Sequence, residues 1–348
     1  MAATPSSQKK KAAVPEEPYH VDSDKDLLTK QDRLHLTHDQ VLKKTQKKRG
    51  YGIDVISLAL ILYCAYDIIR GLLDVGWDRF VELTLLNPLM GGVSGPSAQA
   101  LDLPLWSYSM GHIIPGVGIS LLGAALLYIF AQEYKYADRE DLRAAYYAFI
   151  AIAGSAPVVA PLHKIITEGR AGALYFDVND WPLWWIPISL FISLLITESW
   201  FYWFHYAAHV NQFLWTYVHE LHHTFVPSIG TCASSFHPLD IAGLTIGAFF
   251  VAFVVPIHHM AHSGFLLVNL VWGIYQHSAW RSRIPPALRL VFNDSMSHTI
   301  HHDMGRVPRN LGSLCGVWDR IMGTYMDSPP RWAITKPSKG PYAQKGEQ

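Results

Sequence analysis

Four apolar stretches decide what this chain can fold into. They lie at about 53–73, 105–131, 144–166 and 183–204. Each can cross a hydrocarbon core, which takes about 20 helical residues. Asp54, Asp67 and Arg70 make the first the weakest, and Pro157 and Pro161 in the third are tolerated in membrane helices as kinks. Trp181, Trp184 and Trp185 open the fourth as an interfacial belt. Two shorter apolar runs, 241–257 and 264–276, flank the polar break from His258 to Gly264. They read as a helical hairpin that dips into the membrane and returns. Only 16% of the residues are charged, against about 25% in a soluble domain. The expected fold is therefore all-α, a multi-span membrane bundle.

Lysine and arginine give the orientation. Lys43, Lys44, Lys47, Lys48 and Arg49 flank the first stretch, and Lys135, Arg139 and Arg143 occupy the loop near 132–143. The loops near 74–104 and 167–182 hold only Arg79 and Arg170. The positive-inside rule puts the N-terminus in the cytosol, and four crossings return the chain there at about residue 205. The expected organisation is a polar cytosolic tail over 1–50, membrane helices over 51–182, a catalytic unit over 183–326 and a polar tail over 327–348. No apolar run precedes residue 51, so no cleavable signal peptide is expected. Lys+Arg and Asp+Glu balance at 28 each, which argues against nucleic acid as a partner. Cys64, Cys232 and Cys315 are too scattered for a disulfide framework or a cysteine-ligated metal.

Of 18 histidines, 13 fall between His205 and His302. Three clusters stand out: His205 and His209; His219, His222 and His223; His298, His301 and His302. On a helix, positions i, i+3 and i+4 share a face, so each cluster is expected to present its imidazoles on one side. Eight histidines exceed what one tetrahedral zinc site uses. Neutral imidazole suits iron, zinc and copper alike. The simplest assignment is a histidine-rich cap holding two metals at the cytosolic end of the bundle.

The motifs around these clusters carry a resemblance. Phe201 to His205, with its aromatic lead-in, the segment Phe236-His237-Pro238-Leu239-Asp240, the run Ser297 to His302, and Trp318-Asp319-Arg320-Ile321-Met322-Gly323-Thr324-Tyr325 together resemble the fatty acid hydroxylase/sterol desaturase superfamily of membrane di-iron oxygenases. The likeness covers about 183–326, and its motifs are nearest those of sterol C-5 desaturases. Two departures are Tyr206 and Val210, where those enzymes usually carry arginine and histidine.

The resemblance implies two Fe ions as cofactors. It implies an O2-dependent oxidoreductase of lipid C–H bonds, acting as a desaturase or monooxygenase on a sterol or sterol-like lipid. A fatty acyl, sphingoid or alkyl-lipid substrate is the alternative within the superfamily. It adds His277, where the family has a histidine closing the returning helix, to the metal set of His205, His209, His219, His222, His223, His298, His301 and His302. It also implies an endoplasmic reticulum membrane location, an active site facing the cytosol, and electrons from a cytochrome b5-like donor and its reductase. Arg281, Arg283, Arg289, Arg306 and Arg309 are candidates for the donor's dock.

His237 stands open between metal ligand, ligand support and packed loop residue. Glu198, two helical turns before His205 with Tyr202 between them, can orient a ligand, carry protons or bond a neighbouring helix. His258, His259 and His262 are expected to be structural, because a helix over 241–257 would hold them about 25 Å away. A reading of another class also fits one cluster: His219-Glu220-Leu221-His222-His223 satisfies H-E-x-x-H, the zinc protease pattern. A metal transporter is a third class, with its ligands expected at mid-membrane on interrupted helices.

Overall fold

The computed structural model of the protein describes residues 53–131, 140–225, 228–278 and 284–327. The expected tails over 1–50 and from 328 onward lie outside the described residues, as do Arg281, Arg283 and most of the basic loop near 132–143.

The chain is built almost wholly from helices. α1 (Val55–Val75) begins at Asp54, whose carboxylate accepts the backbone N–H groups of Ile56 at 3.0 Å and Ser57 at 2.9 Å. These are amides that a helix start leaves without partners. The short α2 (Trp77–Leu85) and α3 (Pro96–Leu101) lead to the long α4 (Leu105–Ala131), α5 (Glu140–Thr167) and α6 (Trp185–Val210). Among the described residues, Val55–Val75, Leu142–Thr167 and Trp185–Val210 are long and apolar enough to cross a membrane. α4 forms a 27-residue helix over the remaining expected crossing. α6 runs past residue 204, carrying the polar His205–His209 segment as helix.

The hairpin is present as α7 (Pro238–Val254) and α8 (His259–Gln276). Its turn is tighter than the polar pattern implied. His259 and His262 lie within α8, and His258 is its N-cap, accepting the amide of Met260 at 3.3 Å. At the turn, β2 (Ile257–His258) pairs in parallel with β1 (Leu174–Tyr175), with Leu174 opposite Ile257.

Packing is close because small residues line the contacts. α5 buries Ala144, Ala148, Ala151, Ala156 and Ala160, the residue type that lets membrane helices approach. Gly243 and Gly247 of α7 admit two rings of α6: a Cβ would fall 2.2 Å from Phe204 and 2.5 Å from Trp200. Trp200 Nε1 also donates to Gly243 O at 2.8 Å. Leu62, Ile69 and Leu73 of α1, Phe191 and Leu195 of α6 and Phe250 of α7 face outward, as a lipid-facing surface does.

The starts of α1, α5 and α7 and the ends of α6 and α8 meet at one end of the bundle. His237 Nε2 lies 3.2 Å from Asp54 Oδ2, and Ser235 Oγ donates to Ala144 O at 2.7 Å. The polar C-terminal segment covers this end with α9 (Pro286–Arg289), α10 (Ser295–Asp303) and α11 (Val317–Ile321). Phe292 and Cys315 join across it in an antiparallel bridge.

Candidate metal centre

At that end, nine buried imidazoles converge as two groups. His205, His209, His219, His223 and His301 form one, and His222, His277, His298 and His302 form the other. Within each group, one ring nitrogen per residue lies within 4.8 Å of all the others. The groups share a wall: the His223 and His302 rings are 4.8 Å apart, and those of His298 and His301 5.1 Å. Every one of the nine is an expected metal residue.

The expectation that each cluster faces one way is corrected here. In α10, His298 and His302 join the four-membered group while His301 joins the five-membered one. In the 219–223 cluster, His219 and His223 join the five and His222 the four. Positions i and i+4 are about 40° apart around a helix, whereas i and i+3 diverge by about 60° the other way. A motif of the form H-x-x-H-H therefore feeds two points. The first of the two motifs is not regular α-helix. A π-helix over Trp215–His219, closed by Glu220 N donating to Trp215 O at 2.8 Å, runs into a 3₁₀ turn over His222–Thr224. Single π turns of this kind recur at functional sites.

The outer nitrogens of the five-membered group are tied down. His205 Nδ1 donates to Leu311 O at 2.7 Å, His209 Nδ1 to Arg306 O at 3.1 Å and His301 Nδ1 to Arg309 O at 2.8 Å. His219 Nδ1 donates to Asp240 Oδ2 at 2.8 Å, both side chains being fully buried. In the other group, His277 Nδ1 donates to Gly273 O at 2.7 Å. A carbonyl or carboxylate oxygen only accepts, so each of these Nδ1 atoms carries the proton. The Nε2 atoms are then bare lone pairs in the neutral rings. Yet His219 Nε2 stands 3.0 Å from His205 Nε2 and 3.2 Å from His209 Nε2. These contacts have no hydrogen between them. His301 Nε2 and both nitrogens of His302 have no hydrogen-bond partner at all.

A cation between the rings would resolve this. Nitrogens about 2.1 Å from one metal ion and at right angles stand about 3.0 Å apart, while tetrahedral ligands stand about 3.4 Å apart. The closest pairs, 2.9–3.2 Å, match the first spacing. Burial pushes His301 down to about 3 and His277 down to about 4. Burial and then the neighbouring imidazoles drive His222, His223, His298 and His302 well below the usual histidine range. The neutral ring is the form a metal binds. The donor set thus fits two first-row metal ions, one per group.

Other expected residues sort differently. His237, Glu198 and Tyr202 belong to neither group. His237 caps α7, accepting the amide of Leu239 at 3.1 Å. Glu198 accepts the amides of Leu314 at 2.9 Å and Cys315 at 3.0 Å, and the Tyr202 hydroxyl pairs with Thr324 Oγ1 at 3.0 Å. His258, His259 and His262 lie outside both groups, and His262 Nε2 donates to Ala248 O at 3.0 Å. Arg306 donates to the carbonyls of His209 at 3.1 Å and Val210 at 3.3 Å, Arg309 to that of Gly323 at 2.9 Å, and Arg289 pairs with Asp327 at 3.1 Å. The H-E-x-x-H histidines share their group with three further imidazoles, whereas a zinc protease keeps an open position beside three protein ligands. The roles of Asp240, Asp319 and the carbonyls of 306–311 were not legible in sequence. The two acids stood in quoted motifs without an assigned role, and a backbone carbonyl has no residue signature.

Comparison with known proteins gives the same segment. The fatty acid hydroxylase family matches residues 190–324. Lathosterol oxidase of Rattus norvegicus is 30% identical over 154 residues, 44% of this chain and 50% of that protein. A Delta(7)-sterol 5(6)-desaturase of Gibberella zeae is 28% identical over 255 residues, 70% of this chain and 68% of that protein. Methylsterol monooxygenase 1 of Gallus gallus is 30% identical over 158 residues, 43% of this chain and 52% of that protein. The chain thus spans about half the length of the first and third of these relatives. No solved structure matches it. Residues 190–324, which match the fatty acid hydroxylase family, carry all nine converging histidines.

Proposed function

We propose that the chain is a membrane-bound non-haem di-iron oxygenase that desaturates or hydroxylates a C–H bond of a sterol or sterol-like lipid. The observation that carries this reading is the pair of buried imidazole groups, with bare Nε2 lone pairs facing one another at His205, His209 and His219. Residues 183–326 are the catalytic unit. His205, His209, His219, His223 and His301 hold one iron, and His222, His277, His298 and His302 hold the other. Bound there, the iron pair supplies, with O2 and two external electrons, the oxidising power that no side chain has.

The protein's own part is position and dryness. Leu311, Arg306 and Arg309 carbonyls fix the tautomer of three ligands. Asp240 holds His219 and fixes its tautomer and ring orientation. Phe236 stacks on His222 with ring centroids 3.9 Å apart, and Trp215 covers His209 and His223, so water is excluded from these rings. The sterol assignment rests on the names of the relatives and on the Phe236–Asp240, Ser297–His302 and Trp318–Tyr325 motifs.

Electrons come from a carrier of the cytochrome b5 type with its reductase, the donor that the resemblance to sterol desaturases implies. The endoplasmic reticulum membrane is the setting, with the metal end toward the cytosol. The basic run Lys43–Arg49 precedes Asp54 in sequence, and Asp54 meets His237 at the metal end, which supports that orientation. The test is a lipid profile of cells expressing the protein against a His301→Ala control. A change in sterols is the expected result. A change confined to fatty acyl or sphingoid chains would remove the sterol and leave the oxygenase, and no change in any lipid would remove both.

A further inference from the structure

The backbone turn at 309–315 carries two of the acceptors that orient the five-histidine group. Arg309 O takes the His301 Nδ1 proton at 2.8 Å and Leu311 O takes that of His205 at 2.7 Å. Asn310 between them adopts φ +50°, in the left-handed region, which sends successive carbonyls in different directions. This turn is neither helix nor strand, so its shape has to come from other contacts.

Two buried carboxylates provide them. Asp319, 0% exposed, accepts the amides of Leu311 and Gly312, each at 2.8 Å, and the Thr324 hydroxyl at 2.7 Å. Glu198, 3% exposed on α6, accepts the amides of Leu314 at 2.9 Å and Cys315 at 3.0 Å, one on each oxygen. Asn293 adds a bond to Gly312 O at 2.8 Å and Gln276 one to Ser313 O at 2.7 Å. All four carboxylate oxygens are engaged, and none belongs to either imidazole group. No Nδ1 of the four-histidine group bonds to the turn: His277 Nδ1 bonds within its own helix, and the Nδ1 atoms of His222, His298 and His302 have no partner.

We propose that Glu198 and Asp319 are positioning residues for one metal of the two. They lock the 309–315 turn, and the turn's carbonyls hold His205 and His301 at the five-histidine group. This rests on the reading of that group as a metal site. It also gives Glu198, a carboxylate at membrane depth, a role other than ligand or proton carrier.

The experiment uses the full-length protein in detergent, loaded with Fe(II) or Co(II) under anaerobic conditions and titrated with a competing chelator. Wild-type protein should release two ions in separable phases. Glu198→Gln and Asp319→Asn should each weaken one phase by about 10-fold or more and leave the other unchanged. The Co(II) absorption spectrum should change for that ion alone. Thr324→Val removes the hydroxyl's bonds to Asp319 and Tyr202, leaves the carboxylate's two amide contacts in place and nearly conserves shape. It should weaken the same phase a few-fold, and it decides the matter if the acid variants do not fold. Both phases unchanged, or both weakened alike, would overturn the proposal. A folded wild-type protein that binds neither ion would instead overturn the metal reading itself.

Discussion

His222 and His223 are adjacent in sequence and face different centres. Replacing either with alanine should remove one metal ion and abolish turnover, and the two variants should be equally inactive. Glu220→Gln should retain activity. Metal content and product formation on the purified variants check this; an active His222→Ala with an inactive Glu220→Gln would instead indicate zinc protease chemistry. The histidines themselves were legible because they are rare and clustered. Their division between two centres was not, because it depends on the π turn at Trp215–His219 and on where α6 and α8 end. The buried rings also predict a pH dependence. Burial lowers His301, His277, His222, His223, His298 and His302 in the fold, whereas the unfolded chain titrates near 6.5. Below that pH the unfolded state binds more protons, so stability falls with acidification. The metal-free protein should therefore melt at a lower temperature at pH 5 than at pH 7.5; equal melting temperatures would mean that the rings are hydrated.

At the scale of elements, the apolar pattern located the long helices within a few residues, three of them long and apolar enough to cross a membrane. It failed where polar residues lie inside a helix. α6 continues through His205 and His209, and α8 begins at His259, ahead of its apolar run. The α6 extension follows from burial, which favours closed backbone hydrogen bonds whatever the side chain, and α8 starts early because the His258 ring caps it at the Met260 amide. The hairpin has a functional consequence. α8 is 18 residues long, so His277 at its end lies about 27 Å from His259 at its start. A variant with His258, His259 and His262 all changed to alanine should keep its full metal content. Loss of metal from a folded, correctly inserted triple variant would mean that the turn of the hairpin reaches the centre.

For the whole molecule, the membrane bundle delivers five helix ends to one place, and the C-terminal segment closes over them with the turn at 309–315. That arrangement brings His205 and His301, 96 positions apart in sequence, onto one point. It also puts the centre where apolar helices give way to the polar cover, where the proposed lipid substrate would enter sideways from the membrane rather than from water. The sequence motifs were enough to identify the family segment, but they do not define the pocket that selects a fused ring over an acyl chain. Selection of that kind comes from packing between helices, which no short motif records. Iron and zinc should be counted per chain on purified full-length protein. The expected result is two iron ions, falling to one in His223→Ala. One zinc ion per chain, retained in His222→Ala and lost in His223→Ala, would contradict the two-metal centre.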